Sequence, residues 1–323
     1  HIMSINSFER KQENEWLENV IKEARKQFDK MRDFDEKIEK EAIETQKELW
    51  QEVGPISAAN ELDQLADFMS FIDVMKRQKR EYGFIEKLKK KYEKMILSPY
   101  FGRIDFIEDG DKKAEKYYIG MSNLINDDYD TLVYDWRAPV SSMFYDYEIG
   151  KAEFKCPEGI VGGEVTLKRQ YKISNGKIEY MFDSNLKIDD EILQEILAKS
   201  TDGRMNAIVT TIQREQNKAI RNEEYKNLIV QGPAGSGKTS IALHRVAYLL
   251  YKHRNEITSQ NILIFSPNQI FNDYISNVLP QLGEENILQT TFMEYMNKAL
   301  NVDLKKENYY DMMEYILSSK DKP

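Results

Sequence analysis

The chain has 323 residues, enough for about two domains with real cores. Its 46 basic and 55 acidic residues leave a net charge of −9, so the whole molecule is no general nucleic-acid binder and any basic patch is local. One cysteine, Cys156, excludes an internal disulfide and a cysteine metal cage.

Of the three histidines, His1 sits in a His1-Ile2 stub before Met3 that reads as a cloning remnant. His244 and His253 cannot build a three-histidine metal site, and they argue against a Ser-His-Asp hydrolase. No apolar run reaches the roughly 18–20 residues of a membrane helix, and no signal peptide is visible. The expectation is a cytoplasmic protein without a membrane partner.

Residues 1–97 carry apolar side chains at three- and four-residue steps, from Leu17, Ile21, Ala24 and Phe28 to Leu49, and again from Leu62 to Met95. Narrow stripes flanked by charge predict a coiled coil, and Gly54-Pro55 breaks it once. The expectation is an antiparallel hairpin of two helices of about 40 residues, roughly 60 Å long. Ser98-Pro99 stops the second helix.

Between Glu48 and Met75 there is no Lys or Arg, while Glu52, Glu61, Asp63, Asp67 and Asp73 fall there. Singly, each acid reads as a solvated surface residue. A solvated face normally carries both signs, so the purely acidic far end suggests docking into a basic channel. Glu52, Glu61 and Asp63 flank the turn and are the candidate partner-binding residues.

Residues 98–188 change to short alternating runs: Ile104–Ile107, Lys116–Ile119, Thr131–Tyr134, Lys151–Phe154, Glu164–Leu167 and Gly176–Tyr180. Asp109-Gly110, Gly162-Gly163 and Asn175-Gly176 read as turns, giving a β-rich module of hairpins. Asp135-Trp136-Arg137-Ala138-Pro139 is an unusual string; its plainest reading is Trp136 in the core and a local Asp135–Arg137 ion pair.

Residues 189–323 open with a helical lead-in capped by Asp189-Asp190 and running to Arg221. Leu228–Val230 and Asn261–Phe265 read as buried strands, with helices over Ser240–Lys252 and about Gln269–Leu279. This alternation predicts a parallel βαβ unit. Together the fold class is multidomain, α+β and α/β: an antiparallel helical hairpin, a β-rich module and a partial parallel α/β domain.

Gly232-Pro233-Ala234-Gly235-Ser236-Gly237-Lys238-Thr239 fits G-x-x-x-x-G-K-[ST] between a strand and a helix. Glycines let backbone N–H groups face inward, and the helix N-terminus adds positive charge, so the loop suits phosphates. Lys238 would reach the β- and γ-phosphates and Thr239 would ligate Mg²⁺, which makes ATP and Mg²⁺ the expected cofactors. Hydrolysis also needs a carboxylate on a later strand and an arginine, and none follows Thr239 in the expected context. Tyr134-Asp135 has that look but precedes the loop. The chain therefore reads as an N-terminal piece, not expected to turn over ATP efficiently by itself.

Gln216, Leu228–Gln231, the loop and His244-Arg245 resemble the first RecA-like domain of superfamily 1 helicases of the UvrD/Rep type. The resemblance implies that Gln216 reads adenine, that Ser266-Pro267-Asn268 touches nucleic acid, and that Thr291-Phe292 is a later helicase motif. Thr291–Glu294 is equally a helix-starting capping box. A wider resemblance covers nearly the whole chain, through Ser98–Phe106, Asp135–Pro139, Leu167–Gln170, Thr211–Gln216 and Leu279–Asn286.

These strings are similar to the HelD family of RNA-polymerase-associated ATPases of Gram-positive bacteria. That implies an arm entering the secondary channel of core RNA polymerase, and ATP-driven release of polymerase from nucleic acid. Single-stranded nucleic acid would be met by the full-length protein, and the self-closed hairpin implies a monomer. The competing expectation is a UvrD/Rep-type DNA repair helicase. The turn Gly54–Asn60 carries no acid, which speaks against metal chelation by the tip.

Overall fold

A computed structural model describes residues 7–52, 82–183, 212–282, 284, 286–300 and 309–318. Helix α1 (Ser7–Glu52) is followed, after the undescribed hairpin tip, by helix α2 (82–97). The two run antiparallel: Lys89 pairs with Asp35 at 2.6 Å, while Met95 packs in one cluster with Leu17, Val20 and Ala24. Glu61 and Asp63 lie outside the described residues, as does the Gly54-Pro55 break.

The middle of the chain forms a seven-stranded mixed sheet. Its strands are β1 (Gly102–Glu108), β2 (Glu115–Gly120), β3 (Leu124–Ile125), β4 (Thr131–Asp135), β5 (Gly150–Cys156), β6 (Gly159–Ser174) and β7 (Lys177–Asp183). The order is β3-β4-β2-β1-β6-β5, with β7 also on β6. Only β2 and β4 pair in parallel. Asn175 and Gly176 turn β6 into β7 with φ of 51° and 71°, the double left-handed turn that suits an Asn-Gly hairpin.

Gly162-Gly163 is not a turn. Both residues lie inside β6, opposite Glu153 and Ala152 of β5. A Cβ on Gly163 would stand 2.2 Å from the Ile107 carbonyl oxygen and 2.5 Å from the Phe106 ring. Close approach of a neighbouring strand, rather than chain reversal, is why this strand carries glycine.

The sheet is covered on both faces. Neighbours Tyr118 and Ile119 fall in different buried clusters, as the two-residue period of a strand requires. Tyr118, Tyr100, Tyr171 and Val133 pack under α1 and α2. Ile119, Ile104, Phe106 and Val165 face helix α3 (Ser142–Asp146) and continue into helices α4 (Arg214–Arg221) and α5 (Lys238–Lys252).

The root of α1 is fixed to its face of the sheet by buried charge. Glu13, 2% exposed, accepts from Arg103, from Arg169 Nη1 at 3.2 Å and from the Tyr118 hydroxyl at 3.1 Å. Trp16 stacks on Tyr118 with ring centroids 4.8 Å apart.

The last part pairs β8 (Leu263–Ser266) with β9 (Leu288–Thr291) in parallel, joined through helix α6 (Gln269–Val278). Helices α7 (Phe292–Leu300) and α8 (Tyr309–Ser318) follow. Leu228–Val230 is not the buried strand expected: it joins no ladder among the described residues, and Ile229 is 91% exposed. A strand requires a ladder partner. Among the described residues β8 takes β9, and no strand lies along 228–230. Nor is β8 buried on both sides, since Phe265 is 51% exposed. Among the described residues no helix is long and apolar enough to cross a membrane.

Candidate functional site

The glycine-rich loop runs into α5. Gly235 and Gly237 adopt φ of 82° and 81°, in the left-handed region that side chains avoid, and Gly237 caps the helix. A Cβ on Gly232 would meet Ser236 Oγ at 2.6 Å. Lys238 folds over the loop, its Nζ donating to the Gly232 carbonyl at 2.9 Å and the Pro233 carbonyl at 2.6 Å. Thr239 stands in the first turn of α5.

The Gln216 side chain lies against this loop. Its Nε2 is 3.4 Å from where a Gly237 Cβ would stand, and its Oε1 accepts from the Gln213 N–H at 3.2 Å, closing a capping box at the start of α4. Residues 216 and 232–239, singled out in the sequence, are thus neighbours at one candidate site. Its donors, backbone N–H groups at a helix N-terminus with one lysine and one threonine, fit a magnesium polyphosphate. Among the described residues no group of three His, Cys, Asp or Glu side chains could hold a metal. Of the partner-binding candidates, Glu52 is the last residue of α1.

Other motif residues serve structure. Asn268 caps α6, its side chain accepting from the Phe271 N–H at 2.9 Å. Thr291 and Glu294 exchange the two bonds of a capping box at the start of α7. Arg245 donates to the carbonyls of Ala219, Ile220 and Asn222, which anchors α5 to the end of α4.

The sheet meets the loop helix at the string Asp135-Trp136-Arg137. Trp136 is fully buried, and the Asp135–Arg137 pair forms as the sequence suggests, with Arg137 Nε and Nη2 on the carboxylate at 2.8 and 2.7 Å. What the sequence does not disclose is what lies across from them. The Trp136 ring packs edge-on against His244 of α5, centroids 5.5 Å apart. Arg137 also bonds Glu284 and lies over the Tyr251 ring, 4.7 Å from its centroid. Arg221, partly buried, donates to the carbonyls of Trp136, Arg137 and Ala138.

The arm reaches the same point. Burial lowers the Lys91 ammonium from its ordinary value, with Asp135 opposing and Arg137 adding to the effect, and Lys94 donates to the Pro280 carbonyl at 2.8 Å. Burial likewise lowers His244, partly offset by its bond to the Ser240 carbonyl. Asp135 is thus committed to an ion pair and is not a free carboxylate for a metal.

Residues 10–200 match the family described as DNA helicase IV HelD, N-terminal domain, and residues 212–322 match the UvrD/REP helicase N-terminal domain. The ATP-dependent DNA helicase PcrA of Staphylococcus epidermidis is 39% identical over 82 residues, 25% of this chain and 11% of that protein. PcrA of Staphylococcus aureus is 32% identical over 102 residues, 31% of this chain and 14% of its own length. The chain thus spans no more than about a seventh of these curated relatives. With most of its length matched by the first of these families, the chain belongs to the HelD N-terminal-domain family and is a HelD-type, superfamily 1 helicase-like protein.

Proposed function

We propose that the chain is the arm-bearing, nucleotide-binding part of an ATP-dependent RNA polymerase recycling factor. Residues 232–239 hold ATP-Mg²⁺: backbone N–H groups take the phosphates, Lys238 neutralises them, Thr239 supplies a metal ligand and Gln216 reads the adenine edge. ATP, when bound, supplies the phosphoryl chemistry that drives motion in the full-length protein. The acidic arm enters the secondary channel of core RNA polymerase, and the motion releases nucleic acid. The observation that carries this reading is the family match over residues 10–200, on a chain whose glycine-rich loop takes left-handed φ at Gly235 and Gly237 ahead of α5.

Two measurements test it. Nucleotide binding is read by calorimetry, with Lys238→Ala expected to abolish the heat. Partner binding is read by co-elution with bacterial core RNA polymerase at low and moderate salt, and binding to the acidic arm should weaken as salt rises. An arm-deleted chain that co-elutes equally well would remove the arm from the account.

The PcrA similarity favours a second reading, a DNA helicase acting in repair. It predicts single-stranded DNA binding with a steep salt dependence, seen in a gel-shift titration.

A further inference from the structure

Trp136 and His244 are two adjacent buried rings with complementary unused groups. His244 Nδ1 lies 2.7 Å from the Ser240 carbonyl, which can only accept, so Nδ1 carries the proton. His244 Nε2 is then an acceptor, and the Trp136 indole N–H is a donor. Among the described residues neither atom has a hydrogen-bond partner. Buried polar groups are rarely left so, and each such group calls for an account.

The surroundings say which way the pair is read. The Trp136 backbone is held at both ends, its N–H on the Gly120 carbonyl at 2.9 Å and its carbonyl under Arg221 Nη2 at 2.6 Å. The main chain of Trp136 is therefore fixed to the sheet. The imidazole hangs on Ser240, in the first turn of α5 beside Lys238 and Thr239. A shift of that turn carries the imidazole with it.

We propose that Trp136 is a positioning residue for the glycine-rich loop: its indole N–H bonds His244 Nε2 when nucleotide fills the loop, tying the first turn of α5 to the end of β4. This rests on the nucleotide reading above. The adjacent Arg137 extends the tie, through Asp135 and Glu284, to the place where Lys91 and Lys94 of α2 arrive.

The test uses the whole chain labelled with ¹⁵N-tryptophan, which carries three indoles, Trp16, Trp50 and Trp136. Trp136→Phe assigns its signal. ADP or a non-hydrolysable ATP analogue is added with Mg²⁺, and calorimetry on the same samples reports binding. The Trp136 indole signal moves downfield on binding in the wild type. It also moves in His244→Gln, which keeps an acceptor, and it stays still in His244→Phe, which keeps only a ring. Binding heat with an unmoved Trp136 signal overturns the tie and leaves the nucleotide reading standing. An equal shift in His244→Phe also overturns it. No binding heat in the wild type overturns both.

Discussion

Arg137 joins three parts of the molecule through one guanidinium. It is 6% exposed, and so is almost as dry as the Asp135 it neutralises. Removing one partner of such a pair leaves a buried uncompensated charge, which costs about 3–5 kcal/mol. Arg137→Ala is therefore expected to lower the unfolding free energy by that order, read as a fall in the urea midpoint at unchanged m. Arg137→Lys should recover only part, because an ammonium cannot span Asp135 and Glu284 as a fork does.

His244 gives a second residue-scale expectation. Burial depresses its folded pKa below the ordinary 6.5, so its contribution is complete above that value and is lost as pH falls toward the folded pKa. The melting temperature should fall between about pH 7 and about pH 5.5, before most carboxylates titrate, and His244→Gln should flatten that fall. An unchanged slope in the variant would mean that His244 does not set it.

Among the elements, β6 separates what local sequence discloses from what it does not. It pairs with β1 on one edge and with β5 and β7 in succession on the other. Alternation located every long strand near its centre, and Asn175-Gly176 marked its hairpin, because those signals are local. Gly162-Gly163 misled, because the reason for glycine there is a carbonyl on β1 more than fifty positions earlier. Gly163→Ala forces the Ile107 carbonyl and the Phe106 ring aside. Overpacking of this kind costs about 1–3 kcal/mol, and the thermal midpoint should drop accordingly. The glycine-rich loop was legible for the opposite reason: its motif and its left-handed glycines, Gly235 and Gly237, lie within one short stretch of chain. Leu228–Val230 looked like a strand by its apolar run alone, but a run does not name its ladder partner.

At the scale of the whole molecule, the sheet stands between the arm and the loop helix, and each is joined to it by buried charge. The arm side is centred on Glu13, whose partners Arg103 and Arg169 lie 90 and 156 positions away, so no window of sequence could reveal it. Glu13→Ala leaves two buried guanidiniums beside each other. Arg103 keeps Asp105, and Arg169 keeps Asp183 and Glu9, so the excess falls on the contact with α1. Breaking such a network costs about 3–5 kcal/mol. Amide hydrogen exchange distinguishes where that cost is felt. If the arm is a unit docked on the sheet, protection falls in α1 around residues 10–24 and in β1, while α5 keeps its own. The buried cluster that runs from Ile104 through Trp136 to Ile241 and Ala247 supports this division, since it joins sheet and loop helix without using α1. Equal loss of protection in α5 would show instead that arm, sheet and loop helix open together, and that the Glu13 network stabilises all three.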